Sequence, residues 1–109
     1  MKAITVKPTW AWAIIYAGKN IENRSWQTRI RGPVAIHASK NLSRKEYEES
    51  KKLFSRRWRN ELPAYEYLAR GAMICVTEII DCVTESKLPW FMSDYGFERA
   101  QRARPCAEI

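Results

Sequence analysis

Lys19, Glu22 and Arg24 place an amine, a carboxylate and a guanidinium within six residues, in the segment Gly18-Lys19-Asn20-Ile21-Glu22-Asn23-Arg24-Ser25-Trp26. Past Gly18 the segment alternates as a strand would. Glu22, Arg24 and Trp26 then share one face, and Ile21, Asn23 and Ser25 the other. A carboxylate beside a guanidinium can accept from the exocyclic amine of a nucleobase while the guanidinium orients that base. A lysine beside a carboxylate can serve as a general base or hold an oxyanion or phosphate, provided burial lowers its pKa. The structural alternative makes Lys19 a cation at a helix C-terminus and Glu22–Arg24 an ion pair.

Other residues could join this chemistry. Glu78 lies in a long β-branched stretch, on the face of Ile74, Val76, Ile80 and Cys82. If that face is buried, the carboxylate must find a partner or shift its pKa upward, which makes Glu78 a candidate second carboxylate. The alternative points it outward at the sheet edge. His37 and Ser39 are candidate substrate contacts, although a strand histidine is more often packed and hydrogen-bonded. One histidine cannot run a two-histidine acid–base mechanism, so RNA cleavage would divide the work among Lys19, a carboxylate and His37, or recruit a metal. Cys75, Cys82 and Cys106 show no close pairing or CxxC spacing. With a single histidine, no zinc site is expected, and no cofactor motif is present. Five tryptophans supply much of the core of a small domain. Trp26 and Trp90, with Tyr95, are the aromatics expected to line a cleft where a base stacks.

Nineteen Lys and Arg against twelve Asp and Glu give a net charge of +7, favouring a polyanionic partner, nucleic acid before an acidic membrane surface. Eight of these cations fall between Lys40 and Arg59, against three glutamates. Arg29, Arg31, Lys40, Arg44 and Lys45 are the candidate phosphate-contacting surface. No apolar run approaches membrane-spanning length, and the opening residues MKAITVKPTW lack the apolar core of a signal peptide. Together with the cysteine usage, this predicts a cytoplasmic protein with no membrane partner.

The elements that must position these groups follow from the same sequence. The 109 residues predict one domain. Lys2 to Val6 reads as a strand stopped by Pro8, and Thr9 as the cap of an apolar helix from Trp10 to Ala17, ended by Gly18 in a left-handed conformation. A turn at Arg31-Gly32-Pro33 leads into a strand from Val34 to Ala38. Ser43-Arg44-Lys45-Glu46 is a capping box that starts a helix running to Phe54. Pro63 breaks the chain, and Tyr65 to Leu68 reads as a helical turn. Ala72 to Thr84 is the longest strand signal, followed by an aromatic loop from Ser86 to Phe97 and a basic, weakly patterned tail. The order of elements predicts an α+β domain on a small mixed sheet or barrel.

The chain resembles the ASCH family. The resemblance rests on Trp10-Ala11-Trp12-Ala13-Ile14, on Gly18-Lys19-Asn20-Ile21-Glu22-Asn23-Arg24, and on Arg31-Gly32-Pro33 with Ile36-His37-Ala38-Ser39-Lys40. Arg70-Gly71-Ala72, Asp81-Cys82-Val83, Pro89-Trp90-Phe91 and Tyr95-Gly96-Phe97 continue it in family order. It implies a PUA-like mixed β-barrel with two or three attached helices. It also implies an RNA-binding module, with a small hydrolase or ribonuclease and a coactivator-type interaction domain as alternatives. In the members that act on N4-acetylcytidine, the position matching Glu22 is a threonine, whose hydroxyl a glutamate does not supply. Relatives usually continue into a closing strand where this sequence reads Arg104-Pro105-Cys106-Ala107-Glu108-Ile109. Either a short final strand closes the barrel or an edge stays open. The resulting expectation is an RNA or nucleoside-type ligand, held in a cleft formed by Lys19, Glu22 and Arg24. If the domain is catalytic, Lys19 acts as base with Glu22 or Glu78 assisting.

Overall fold

The first strand, β1 (Lys2–Val6), passes directly into helix α1 (Pro8–Tyr16), which Pro8 opens with the ring-fixed φ suited to that position. The expected Thr9 cap is not made. Lys7 is the N-cap residue and contributes no side-chain cap bond, while the buried Thr9 hydroxyl donates to Ser50 Oγ at 3.3 Å. The chain continues through β2 (Ile21–Arg24), β3 (Gly32–Ala38), α2 (Arg44–Leu53), β4 (Ala72–Val83), β5 (Tyr95–Arg99) and β6 (Arg104–Pro105). This computed structural model describes residues 1–92, 94–100 and 103–106. The capping box forms as predicted: Ser43 Oγ accepts from Glu46 N, and Glu46 Oε1 accepts from Ser43 N, both at 3.0 Å. A π-helical turn (Phe54–Trp58), not foreseen from the sequence, follows α2, and a 3-10 turn spans Tyr65–Tyr67.

The sheet runs in the order β1-β3-β4-β5-β2, with β1 parallel to β3 and the other neighbours antiparallel. β6 pairs with β4 at Val76↔Arg104 and Cys75↔Pro105, on the edge of β4 that β5 also uses. The α+β expectation holds, but the closed barrel does not. β1 and β2 are the two ends of the path and share no strand pairing among the described residues. A short final strand does form, yet it lies on β4 and does not join those ends.

β5 occupies part of the stretch read as loop and tail. Its alternation is real, with Phe97 and Arg99 both buried, but Gly96 weakens the strand signal. Glycine is required there, because a Cβ would sit 2.7 Å from Phe91 Cδ2 and 2.9 Å from Ile21 Cγ2. On β4 the inward face is Cys75, Thr77 and Ile79, while Glu78 and Ile80 are exposed. Of the two readings of Glu78, its exposure matches the outward one, since the buried face of β4 runs through Cys75, Thr77 and Ile79.

Two apolar clusters fill the interior. One joins α1 to β1, β3, β4 and β5 through residues such as Ile14, Val34, Ile36, Ile79 and Phe97. The other gathers Tyr47, Phe54, Leu62, Leu68 and Trp90. Trp10 packs against both, at their junction. Among the described residues, no helix is long and apolar enough to cross a membrane.

Candidate functional site

Gly18, at φ +69°, ends α1 and lets the Lys19 N–H reach back to Ala13 O at 3.1 Å. That turn directs the Lys19 side chain inward, where it is 1% exposed. Its Nζ donates to Ile21 O and to Glu22 Oε1, the latter at 3.1 Å. Burial lowers the Lys19 pKa; the Glu22 charge and hydrogen bond work against that shift, and Arg99 and Arg24 add to it.

The second carboxylate oxygen of Glu22 accepts from Arg24 Nη2 at 2.9 Å. Glu22 is thus held between two cations, Arg24 from the same strand face and Lys19 from the turn before β2. Arg24 Nη2 also donates to Thr5 O at 2.7 Å. Thr5 belongs to β1 and Arg24 to β2, so this side chain spans the gap between the two ends of the sheet. Arg24 Nε is buried without a hydrogen-bond partner among the described residues. The Arg24 guanidinium lies 5.1 Å from the Trp26 ring, and Lys19 Nζ lies 5.6 Å from the Trp10 ring.

These groups border a cleft of about 430 Å³, lined also by Thr5, Val6, Lys7, Trp10, Asn23, Ser39 and Met92. That volume suits a small-molecule or nucleotide ligand. The sequence model of the ASCH domain family matches residues 4–106, so it covers every residue that lines the cleft. The chain belongs to the ASCH domain family. No curated protein matches it.

The ASCH domain brings together only part of the predicted set. Lys19, Glu22, Arg24 and Ser39 line the cleft. His37 does not line the cleft; it lies one strand over, opposite the cleft residue Thr5 in the β1–β3 register, its Nδ1 3.4 Å from the Thr5 hydroxyl. Trp26 is 55% exposed beside Arg24, and Tyr95 is half-buried opposite Arg24 in the β2–β5 register. Trp90 is buried away from the cleft, stacked on Trp58 with ring centroids 4.0 Å apart. Glu78 faces outward from β4 and does not line the cleft. Arg29, Arg31, Lys40, Arg44 and Lys45 are all exposed. Arg31 lies 3.6 Å from Asp81 and Arg44 pairs with Glu66 at 2.9 Å. Among the described residues, no three His, Cys, Asp or Glu side chains gather as a metal-holding group.

Three contributors were missed from the sequence. Trp10, read as core, supplies the aromatic wall. Asn23, on the face opposite Glu22, fastens the loop beside the cleft: its Nδ2 donates to Trp90 O at 2.9 Å and its Oδ1 accepts from Met92 N at 2.8 Å. Arg99 is 3% exposed and donates from Nε to Lys19 O at 2.6 Å, and to Ile14 O and Ala100 O at 2.7 Å each. It satisfies the carbonyl end of α1 and anchors the backbone that carries Lys19. The alternation of Phe97 and Arg99 in β5 is the signal that could have found it.

Proposed function

We propose that this ASCH domain binds RNA, with one unpaired nucleobase entering the cleft against Trp10. The observation that carries this reading is the pairing of a donor and an acceptor at one wall. Arg24 Nε is a buried donor with no partner among the described residues, and it stands beside the Glu22 carboxylate. A base edge that offers an amine next to a ring nitrogen or carbonyl complements such a wall. The indole of Trp10 gives the base a π-face, and the net charge of +7 supplies long-range attraction for the phosphates.

The test is equilibrium binding of single-stranded RNA to the wild type and to Glu22→Gln. The substitution keeps the shape and replaces half of the acceptor with a donor, so the affinity should fall about tenfold or more. Unchanged affinity, or no salt-sensitive RNA binding by the wild type, would sink the reading.

One observation favours a second, catalytic reading. Lys19 has a pKa lowered by burial and a carboxylate 3.1 Å away, the arrangement of a general base with a proton-accepting neighbour. Hydrolysis of an N-acylated nucleoside or of RNA would then depend on Lys19. A mass-spectrometric screen of such substrates should show turnover in the wild type and its loss in Lys19→Ala.

A further inference from the structure

Ser39, at the edge of the cleft, is followed by Lys40 and Asn41, which border a second hollow together with Ser43, Tyr65 and Arg70. Lys7 joins the two depressions. It lines the cleft, and its Nζ lies 3.4 Å from Asn41 O and 3.2 Å from Glu46 Oε2 at the margin of the hollow.

Cations converge around this hollow on a fixed aromatic. The guanidinium groups of Arg44 and Arg70 each lie 4.4 Å from the Tyr65 ring, and the Tyr65 hydroxyl donates to Leu42 O. Arg70 is set in place by its bonds to Leu68 O at 3.0 Å and Tyr65 O at 2.8 Å. Gly71, at φ +64°, donates its N–H to Ala38 O at 2.8 Å and seats the chain against Lys40. A Cβ at Gly71 would lie 3.3 Å from Lys40 Cγ. Lys40 itself is exposed and makes no ion pair among the described residues. Glu46, whose carboxylate borders the hollow, is already engaged. It accepts from Ser43 N and from Lys7, and those bonds hold its pKa below the usual carboxylate value.

We propose that this hollow is a phosphate subsite adjoining the cleft, so the ligand is a single-stranded RNA segment of two or more nucleotides and not a free nucleoside. This rests on the base-binding reading of the cleft. A phosphodiester leaving the cleft past Ser39 meets Lys7 and then Lys40, with Arg44 behind them. These are ammonium and guanidinium donors of the kind that neutralise backbone charge. The exposed Arg44 guanidinium, held over the Tyr65 ring, gives the next base a planar surface for stacking. A free nucleoside would use the cleft and leave Lys40 with no anionic partner among the described residues, while Lys7 and Arg44 keep Glu46 at 3.2 Å and Glu66 at 2.9 Å.

The experiment measures binding of a labelled single-stranded RNA octamer, and of unlabelled mononucleosides by competition, at several salt concentrations. The wild type and the double variant Lys40→Glu/Arg44→Glu are compared. Both positions are exposed, and circular dichroism checks the fold. The octamer should bind the wild type at least tenfold tighter than any mononucleoside. The double variant should lose about tenfold in octamer affinity. The slope of log K against log salt should shrink by roughly 0.7 for each phosphate that is no longer neutralised. Mononucleoside competition should stay as in the wild type. Octamer affinity equal to that of the nucleoside, or unchanged in the variant, overturns the phosphate subsite and leaves the base-binding cleft standing. Failure of both ligands to bind the wild type overturns both.

Discussion

Residue chemistry in this domain is set by what burial permits. The face shared by Glu22 and Arg24 was legible because a period-two pattern places i and i+2 together. Arg99 was not, because an arginine at a strand end reads as solvated surface unless its acceptors are known. Those acceptors are carbonyls at the end of α1 and in the turn after it, residues distant in sequence. Arg99→Met should strand them in a dry interior and destabilise the fold by about 3–5 kcal/mol, measured by urea unfolding. Cys75 offers a pH test. Burial raises its thiol pKa from 9.0 to about 11. Between those values the folded chain keeps a proton that the unfolded chain has released. The stabilisation from Cys75 is therefore complete below pH 9 and is lost as the pH rises towards 11. Unfolding free energies across that range should fall more steeply for the wild type than for Cys75→Ala. Parallel slopes would count against the buried thiol.

At the level of elements, the strong local signals were readable and the context-dependent ones were not. The capping box fixes the start of α2 by a reciprocal pair of bonds that needs only Ser43 and Glu46. Gly18 likewise marks the end of α1 on its own, at φ +69°. The π-helical turn after α2 depends on Phe54 and Trp58 meeting Trp10 and Trp90 across the fold, which no local pattern announces. β5 was hidden by Gly96, a residue that weakens a strand on propensity and here permits one. Its missing Cβ lets Phe91 and Ile21 close over the β2–β5 pair, and so holds β2 against the sheet. Gly96→Ala must push these side chains apart and should destabilise the domain by about 1–3 kcal/mol. Because β2 carries Glu22 and Arg24, the proposed RNA binding should weaken along with the melting temperature. A variant with unchanged thermal stability would show that the packing there has room to give.

At the scale of the whole molecule, the candidate site lies where the sheet, among the described residues, does not close. An α+β domain on a small mixed sheet or barrel was predictable from the order of elements, and the family resemblance favoured the barrel. Closure, however, depends on whether β1 and β2 pair, and neither strand's sequence encodes its partner. Without that ladder, the two ends are bridged by a side chain: Arg24 reaches from β2 to Thr5 O on β1 at 2.7 Å while also holding Glu22. One residue thereby links the architecture of the gap to the chemistry of the cleft within it. Arg24→Met keeps an apolar stem of similar length but removes the bridge. It should cost about 1–2 kcal/mol in global stability. The larger effect should be local, because an unbridged edge opens by fluctuations that leave the central strands intact. Hydrogen exchange should therefore accelerate in β1 and β2, with β3 and β4 unchanged. Uniform acceleration across all four strands would mean that Arg24 supports the core as a whole; no acceleration would mean that the packing of Trp10 and Ile21 is enough to hold the two ends together.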